Sequence, residues 1–133
     1  MKLKAANYVV LIAEELERSV AFYEGVLGLP LHHIAPNNKF AEFDTGTTHI
    51  SIYTREAMSD TLGREILPPD RDHPGFELGF KVADVDAAYA EAIAAGAEHA
   101  VEPTTKFWGQ RTAYVYDPDG HLVEFAQDLP PSS

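Results

Sequence analysis

A chain of 133 residues with 10 Lys and Arg against 21 Asp and Glu carries a formal net charge of -11, so no electrostatic footprint for nucleic acid or anionic lipid is present and cationic or neutral partners are favoured. Its 45% hydrophobic and 23% charged residues are the composition of a packed globular domain, not of a disordered segment. The lack of cysteine removes disulfide frameworks, thiol nucleophiles and thiolate metal sites, in keeping with a cytoplasmic protein; the first apolar run, Tyr8 to Ala13, stops at Glu14, too early for a signal-peptide core or a membrane span.

Residues 7–13 form a continuous β-branched and aliphatic run, short enough for a buried strand. A helix is predicted to follow from Glu15, with Leu16, Val20, Tyr23 and Leu27 as its apolar stripe and Gly28 and Pro30 as its stop. Residues 31–35, 39–43 and 48–54 read as three short strands separated by turn residues, giving β-α-β-β-β. Residues 56–74 show no clear period and contain three prolines, which reads as a linker.

The same grammar then returns. Residues 76–82 read as a strand, Asp84 as a helix N-cap, Val85, Tyr89, Ala92 and Ile93 as a buried stripe, and residues 97–101 as the next strand. Residues 111–116 and 122–125 form a hairpin about Asp117-Pro118-Asp119-Gly120, in which Pro118 fixes φ, Asp117 caps the turn and Gly120 re-enters a strand. Alternation places Leu122, Glu124 and Ala126 on one face and His121, Val123 and Phe125 on the other. A carboxylate within this apolar strand is costly to bury unless something uses it, which singles out Glu124. The predicted organisation is one domain, 1–133, with module one at 5–56, a linker at 57–74, module two at 75–128 and a short tail at 129–133.

The halves overlay without gaps, residues 10–16 upon 79–85, which sets Tyr8 over Glu77; matching the last strands sets Ser51 over Glu124. Repetition of a unit that cannot bury its own sheet face implies two modules packed together, their sheet curling around a cavity. Other constellations carry little: His121 and Glu124 face opposite sides, His32 and His33 diverge, and no nucleophile elbow or phosphate loop occurs.

Leu16-Glu17-Arg18-Ser19 with Phe22-Tyr23 and Leu27-Gly28-Leu29, then Val82-Ala83-Asp84-Val85-Asp86, then Asp117-Pro118-Asp119-Gly120-His121 with Glu124, together resemble the vicinal oxygen chelate superfamily of glyoxalase I, bleomycin resistance proteins and extradiol dioxygenases. The resemblance implies an α+β fold of two βαβββ modules forming a half-open barrel around a ligand cavity, commonly as a homodimer, and leaves function open. It also implies that metal ligands in the metal-dependent members fall at Tyr8, Ser51, Glu77 and Glu124, where only Glu124 matches the usual residue. A phenol and a serine hydroxyl are poor ligands for a divalent ion at neutral pH, and His49, on the face of Ser51, is the available substitute.

The stretch Trp108-Gly109-Gln110-Arg111 is similar to that preceding the last hairpin of drug-sequestering members; Trp108 offers a flat face for stacking or plugs the barrel end, and Arg111 either meets ligand or neutralises Glu77 or Glu124. The leading expectation is a metal-free binder of a small organic, aromatic or cationic molecule, a resistance or sequestering protein using Tyr8, His49, Ser51, Glu77, Trp108, Arg111 and Glu124. The alternative is a metal-dependent glyoxalase-like lyase or isomerase, or a dioxygenase, with zinc, nickel, manganese or iron on His49, Glu77 and Glu124 and either glutamate moving a proton.

Overall fold

The apolar run at the start of the chain becomes strand β1 (Tyr8–Ala13), whose Leu11 and Ala13 are buried against the helical layer while Tyr8 faces out. Helix α1 (Leu16–Val20) follows and widens into a π-type segment over Ala21–Val26; β2 (Leu31–Ile34), β3 (Phe40–Phe43), β4 (His49–Thr54) and helix α2 (Arg55–Leu62) complete the first module. Its strand order is β1-β4-β3-β2, with β1 parallel to β4 and the remaining neighbours antiparallel. The computed structural model describes residues 1–131; it falls into two compact units, one from Met1 to Pro68 and one beginning at Pro69.

The π-type segment changes which side chains reach the core. Leu27 N–H donates to Phe22 O at 3.0 Å, five residues back. This wider turn brings both Phe22 and Tyr23 inward, their ring centroids 5.0 Å apart edge to face, while Val20 and Leu27 remain only half-buried. The predicted stripe therefore holds for Leu16 and Tyr23, and Phe22 is gained because the 3.6-residue period is broken.

Helix α2 occupies the beginning of the stretch read as linker. Thr54 caps it by accepting from Ala57 N–H at 3.2 Å, and Gly63 ends it at φ 71°, the left-handed conformation that favours glycine. Its weak apolar pattern hid it, since Ala57 is its one fully buried residue.

In the second module, β5 (Glu77–Lys81), α3 (Val85–Ala94), β6 (Glu98–Lys106), β7 (Gln110–Tyr116) and β8 (Leu122–Asp128) repeat the first, with order β5-β8-β7-β6 and β5 parallel to β8. The fold is α+β, two βαβββ modules with one added helix. Strand β6 runs past the expected 97–101 to Lys106; it accommodates Pro103 because it is an edge strand with an irregular register against β7. Strand β8 ends at Asp128, and Leu129 N–H donates to Gly109 O at 2.9 Å; of the tail expected at 129–133, residues 132 and 133 lie outside the described residues.

Asp84 caps α3 as predicted, accepting from Ala87 N–H at 3.1 Å. Val85 and Ala92 are buried, whereas Ile93 is exposed and the Tyr89 hydroxyl turns to His99 Nδ1 at 2.7 Å, so an alanine-rich helix packs on a narrower stripe than four residues. Asp84→Ala is expected to cost about 1 kcal/mol in a urea titration, the ordinary value of a lost N-cap.

The 117–120 turn forms as read. Asp117 Oδ1 accepts from the N–H groups of Asp119 and His121, each at 2.9 Å, and Gly120 lies at φ 91°. Val123 and Phe125 are buried and Glu124 faces the open side.

Candidate functional site

Each module covers one sheet face with helices and leaves the other open, and alternation decides what the open face carries. In module one, Leu11, Ala13, Ala41, Phe43, Ile50 and Ile52 point into the core. The opposite positions, Tyr8 of β1, Phe40 and Glu42 of β3, and His49 and Ser51 of β4, line a pocket of about 450 Å³ with Asn7 and Thr47. The register makes this grouping necessary: Tyr8 stands beside His49 in the parallel pair, and Glu42 stands opposite Ser51 in the antiparallel one. His49 Nδ1 lies 2.6 Å from Glu42 Oε1, and that hydrogen bond pushes the imidazole pKa up.

In module two the register is the same. Tyr8 pairs with His49 two residues before Ser51, and Glu77 pairs with Leu122 two residues before Glu124, so the internal overlay of Tyr8 on Glu77 and Ser51 on Glu124 places equivalent positions together. Glu124 sits over Gly79, where an added Cβ would stand 3.3 Å from Glu124 Oε1. Tyr114 O–H donates to Glu124 Oε2 at 2.9 Å from the neighbouring strand. Burial, then the Glu124 charge, holds the Glu77 carboxyl above the usual carboxylate range. Burial and the bond to Glu124 also raise the Tyr114 phenol, which remains a donor.

Glu77 with a raised pKa contributes stability that is complete below its unfolded value and is lost as pH rises through its folded value. Glu77→Gln is therefore expected to match the parent in stability near pH 4 and to exceed it at neutral pH. Chemical denaturation at both pH values checks the sign.

Two residues stand away from this pair. Arg111 donates from Nε to Asp86 Oδ2 at 2.7 Å, from Nη2 to Asp86 Oδ1 at 2.9 Å and from Nη1 to Thr105 Oγ1 at 3.0 Å, so it neutralises Asp86 rather than Glu77 or Glu124. Trp108 lies in the tight β6–β7 turn, 57% exposed, its Nε1–H donating to Gln110 Oε1 at 2.9 Å and its ring edge to face with Phe107. From Gln110 to Tyr114, which pairs with Glu124, is about 13 Å at strand rise, so Trp108 does not wall the Glu77–Glu124 pair within its module.

The chemistry of the donor set does not fit the divalent metal implied by the resemblance. In module one the two ligand positions hold an outward phenol and a neutral hydroxyl, Tyr8 being 67% exposed, and His49 is already tied to Glu42. Within either module no three His, Cys, Asp or Glu side chains gather as a ligand set among the described residues.

Sequence reasoning missed Phe40, Glu42 and Tyr114. Strand alternation placed Phe40 and Glu42 on one face, but only the β3–β4 register brings Glu42 to His49. Tyr114 could have been found by counting outward from the 117–120 turn, which sets Tyr114 opposite Glu124.

The Glyoxalase/Bleomycin resistance protein/Dioxygenase superfamily profile matches residues 5–125, and the chain belongs to that superfamily. It is 34% identical over 121 residues to the uncharacterized protein YraH of Bacillus subtilis, covering 90% of this chain and 94% of that one. A glyoxalase/bleomycin resistance protein/dioxygenase from Nocardioides superposes with TM-score 0.81 at 23% identity, over 100% of this chain and 89% of that chain. A family enzyme from Burkholderia phytofirmans gives TM-score 0.79 at 25% identity, over 95% and 100%. No helix among the described residues is long and apolar enough to cross a membrane.

Proposed function

We propose that this chain is a metal-free binding member of its superfamily, a cytoplasmic resistance or sequestering protein whose ligand is a small organic cation held at Glu77 and Glu124. One observation supports it above the others: among the described residues of its own module, each Lys and Arg is engaged elsewhere than on the carboxyl pair. Module two contains Arg71, Lys81, Lys106 and Arg111. Arg71 is forked on Glu98 and lies 4.4 Å over the Tyr116 ring; Lys81 bonds Asp128, Lys106 sits 5.9 Å over Trp108, and Arg111 holds Asp86. Two adjacent carboxyl groups left without a counter-charge share a proton or take a cation from outside. The Tyr114 ring beside them supplies an aromatic face and a hydroxyl.

Isothermal titration with benzyltrimethylammonium against benzyl alcohol and phenylacetate tests the reading. Saturable binding of the cation alone is expected; equal affinity for phenylacetate would remove it. The same reading carries a homodimer, for which light scattering should give twice 14.6 kDa.

Gly79→Ala tests the geometry without altering charge. The new methyl group displaces the Glu124 carboxylate, and weaker binding of benzyltrimethylammonium is expected in the same titration, with the fold retained by circular dichroism.

A further inference from the structure

One row of side chains crosses the module-two sheet at the start of β5. Glu77 stands beside Leu122, Leu122 opposite Tyr116 and Tyr116 opposite Glu98, and partners in register share a face, so all four lie on the open side. Tyr114 and Glu124 form the neighbouring row of that face. Arg71, in the segment leading into β5, reaches back over the first row. It passes Gly120, where an added Cβ would stand 3.2 Å from Arg71 Nε, and lies 4.4 Å over the Tyr116 ring. It ends in a fork on Glu98, Nη1 donating to Oε1 at 2.6 Å and Nη2 to Oε2.

A permanent cation therefore lies on the same face as the Glu77–Glu124 carboxyl groups. Tyr116 is one strand and two residues from Glu124, about 8 Å, and two strands from Glu77, about 10 Å, distances within the sweep of an arginine side chain. Two adjacent carboxyl groups attract the nearest guanidinium, which forks on carboxylates. Glu98 and the Tyr116 ring are what hold it elsewhere. The backbone around Arg71 is fixed independently of Glu98. Asp70 Oδ1 accepts from Asp72 N–H at 2.8 Å, Asp70 O accepts from His73 N–H at 3.0 Å, and Asp70 Oδ2 lies 2.8 Å from His73 Nδ1. Loss of Glu98 would thus free the side chain and leave the segment in place. Lys81, two residues beyond Gly79 on the same face, is parked in like manner on Asp128 at 2.8 Å.

Resting on the reading of Glu77 and Glu124 as the cation site, we propose that Glu98 is a latch for Arg71. Docked on Glu98 and Tyr116, Arg71 leaves the carboxyl pair open to a ligand; released, it turns onto Glu124 and Glu77 and occupies the ligand's place. Arg71 is a tethered competitor, present at the high effective concentration of any group on the same chain. Glu98 is a positioning residue: it touches no ligand and acts by keeping that competitor away.

The Arg71 and Glu98 side chains are 44% and 54% exposed, so both can be replaced without opening the core. Benzyltrimethylammonium is titrated by calorimetry into the parent, Glu98→Gln, Glu98→Asp, Arg71→Gln and the double variant Arg71→Gln/Glu98→Gln. Glu98→Gln is expected to bind about tenfold more weakly than the parent, and Glu98→Asp, Arg71→Gln and the double variant within about twofold of it. A merely structural ion pair predicts otherwise, since Arg71→Gln would then weaken binding as much as Glu98→Gln and the double variant would not recover. A change of surface field alone would move the two single variants by equal factors in opposite directions.

A second readout needs no ligand. NMR contacts from the Arg71 side chain to the Tyr116 ring are expected in the parent, and contacts to the Tyr114 ring in Glu98→Gln. Arg71 still on Tyr116 in Glu98→Gln, or a double variant as weak as Glu98→Gln, would overturn the latch. If the parent does not bind benzyltrimethylammonium, the cation site itself fails, and the NMR contacts alone decide whether Glu98 restrains Arg71.

Discussion

Phe43→Ala is expected to destabilise the protein by about 3–5 kcal/mol, the usual cost of deleting a buried aromatic side chain. Phe43 has no exposed surface, packs its ring against Tyr23 at 6.1 Å between centroids, and pairs with Ile50 at the centre of the module-one sheet. The neighbours cannot close the resulting cavity cheaply, since Tyr23, Leu11 and Ile52 are themselves fully buried and fixed by two layers. Against a total stability of about 5–15 kcal/mol, this loss leaves little margin. Phe107→Ala provides the control: Phe107 is 96% exposed, and its removal should change stability by about 0.5 kcal/mol or less in the same urea titration. Equal effects of the two substitutions would mean that the Phe43 side of the sheet is not the core.

The modular fold was legible because its signals are local and repeated. The β1 strand, the Asp84 cap, the 117–120 turn and the facing of Val123 and Glu124 each depend on a few neighbouring residues and form as read, although β1 alternates, burying Leu11 and Ala13 alone, where a continuously buried run was expected. The features that escaped depend on more than local pattern. The π-type segment after α1 is a change of hydrogen-bond spacing that brings Phe22 inward without altering composition. Helix α2 buries too little to show a stripe. Strand β6 extends through Pro103 because it is the edge strand of the module-two sheet among the described residues.

The grouping of the candidate residues was legible by position and not by partner. Tyr8, His49 and Ser51 share one pocket, and Glu77 meets Glu124, because strand register follows from the internal repeat. What register could not give was the choice among partners on a crowded face. Arg111 was read against Glu77 or Glu124 and takes Asp86, on the first turn of α3, with which its planar fork makes two bonds. Glu42 and Tyr114 came from strands whose alignment is set by hairpin turns, and both carry the hydrogen bonds that shape the two faces.

Glu124→Gln is expected to weaken benzyltrimethylammonium binding by about tenfold or more, equivalent to about 1.4 kcal/mol, and to do so without unfolding the chain. Glutamine keeps the size of the side chain and an oxygen able to accept from Tyr114 O–H, so the hydrogen bond seen at 2.9 Å has a substitute while the charge does not. The charge is what the proposal requires. With Glu124 neutral, Glu77 loses the neighbour that helps to raise its pKa, and its burial becomes the remaining cause. The variant should therefore bind the cation with a single carboxylate, and binding should rise with pH at a lower pH than in the parent, whose Glu77 is held higher by the Glu124 charge. Raised salt should weaken what remains, because both groups are within reach of solvent. Parent and variant are compared by titration calorimetry from pH 5 to 8 at two salt concentrations. Unchanged affinity in both Glu124→Gln and Glu77→Gln would remove the carboxyl pair from ligand recognition.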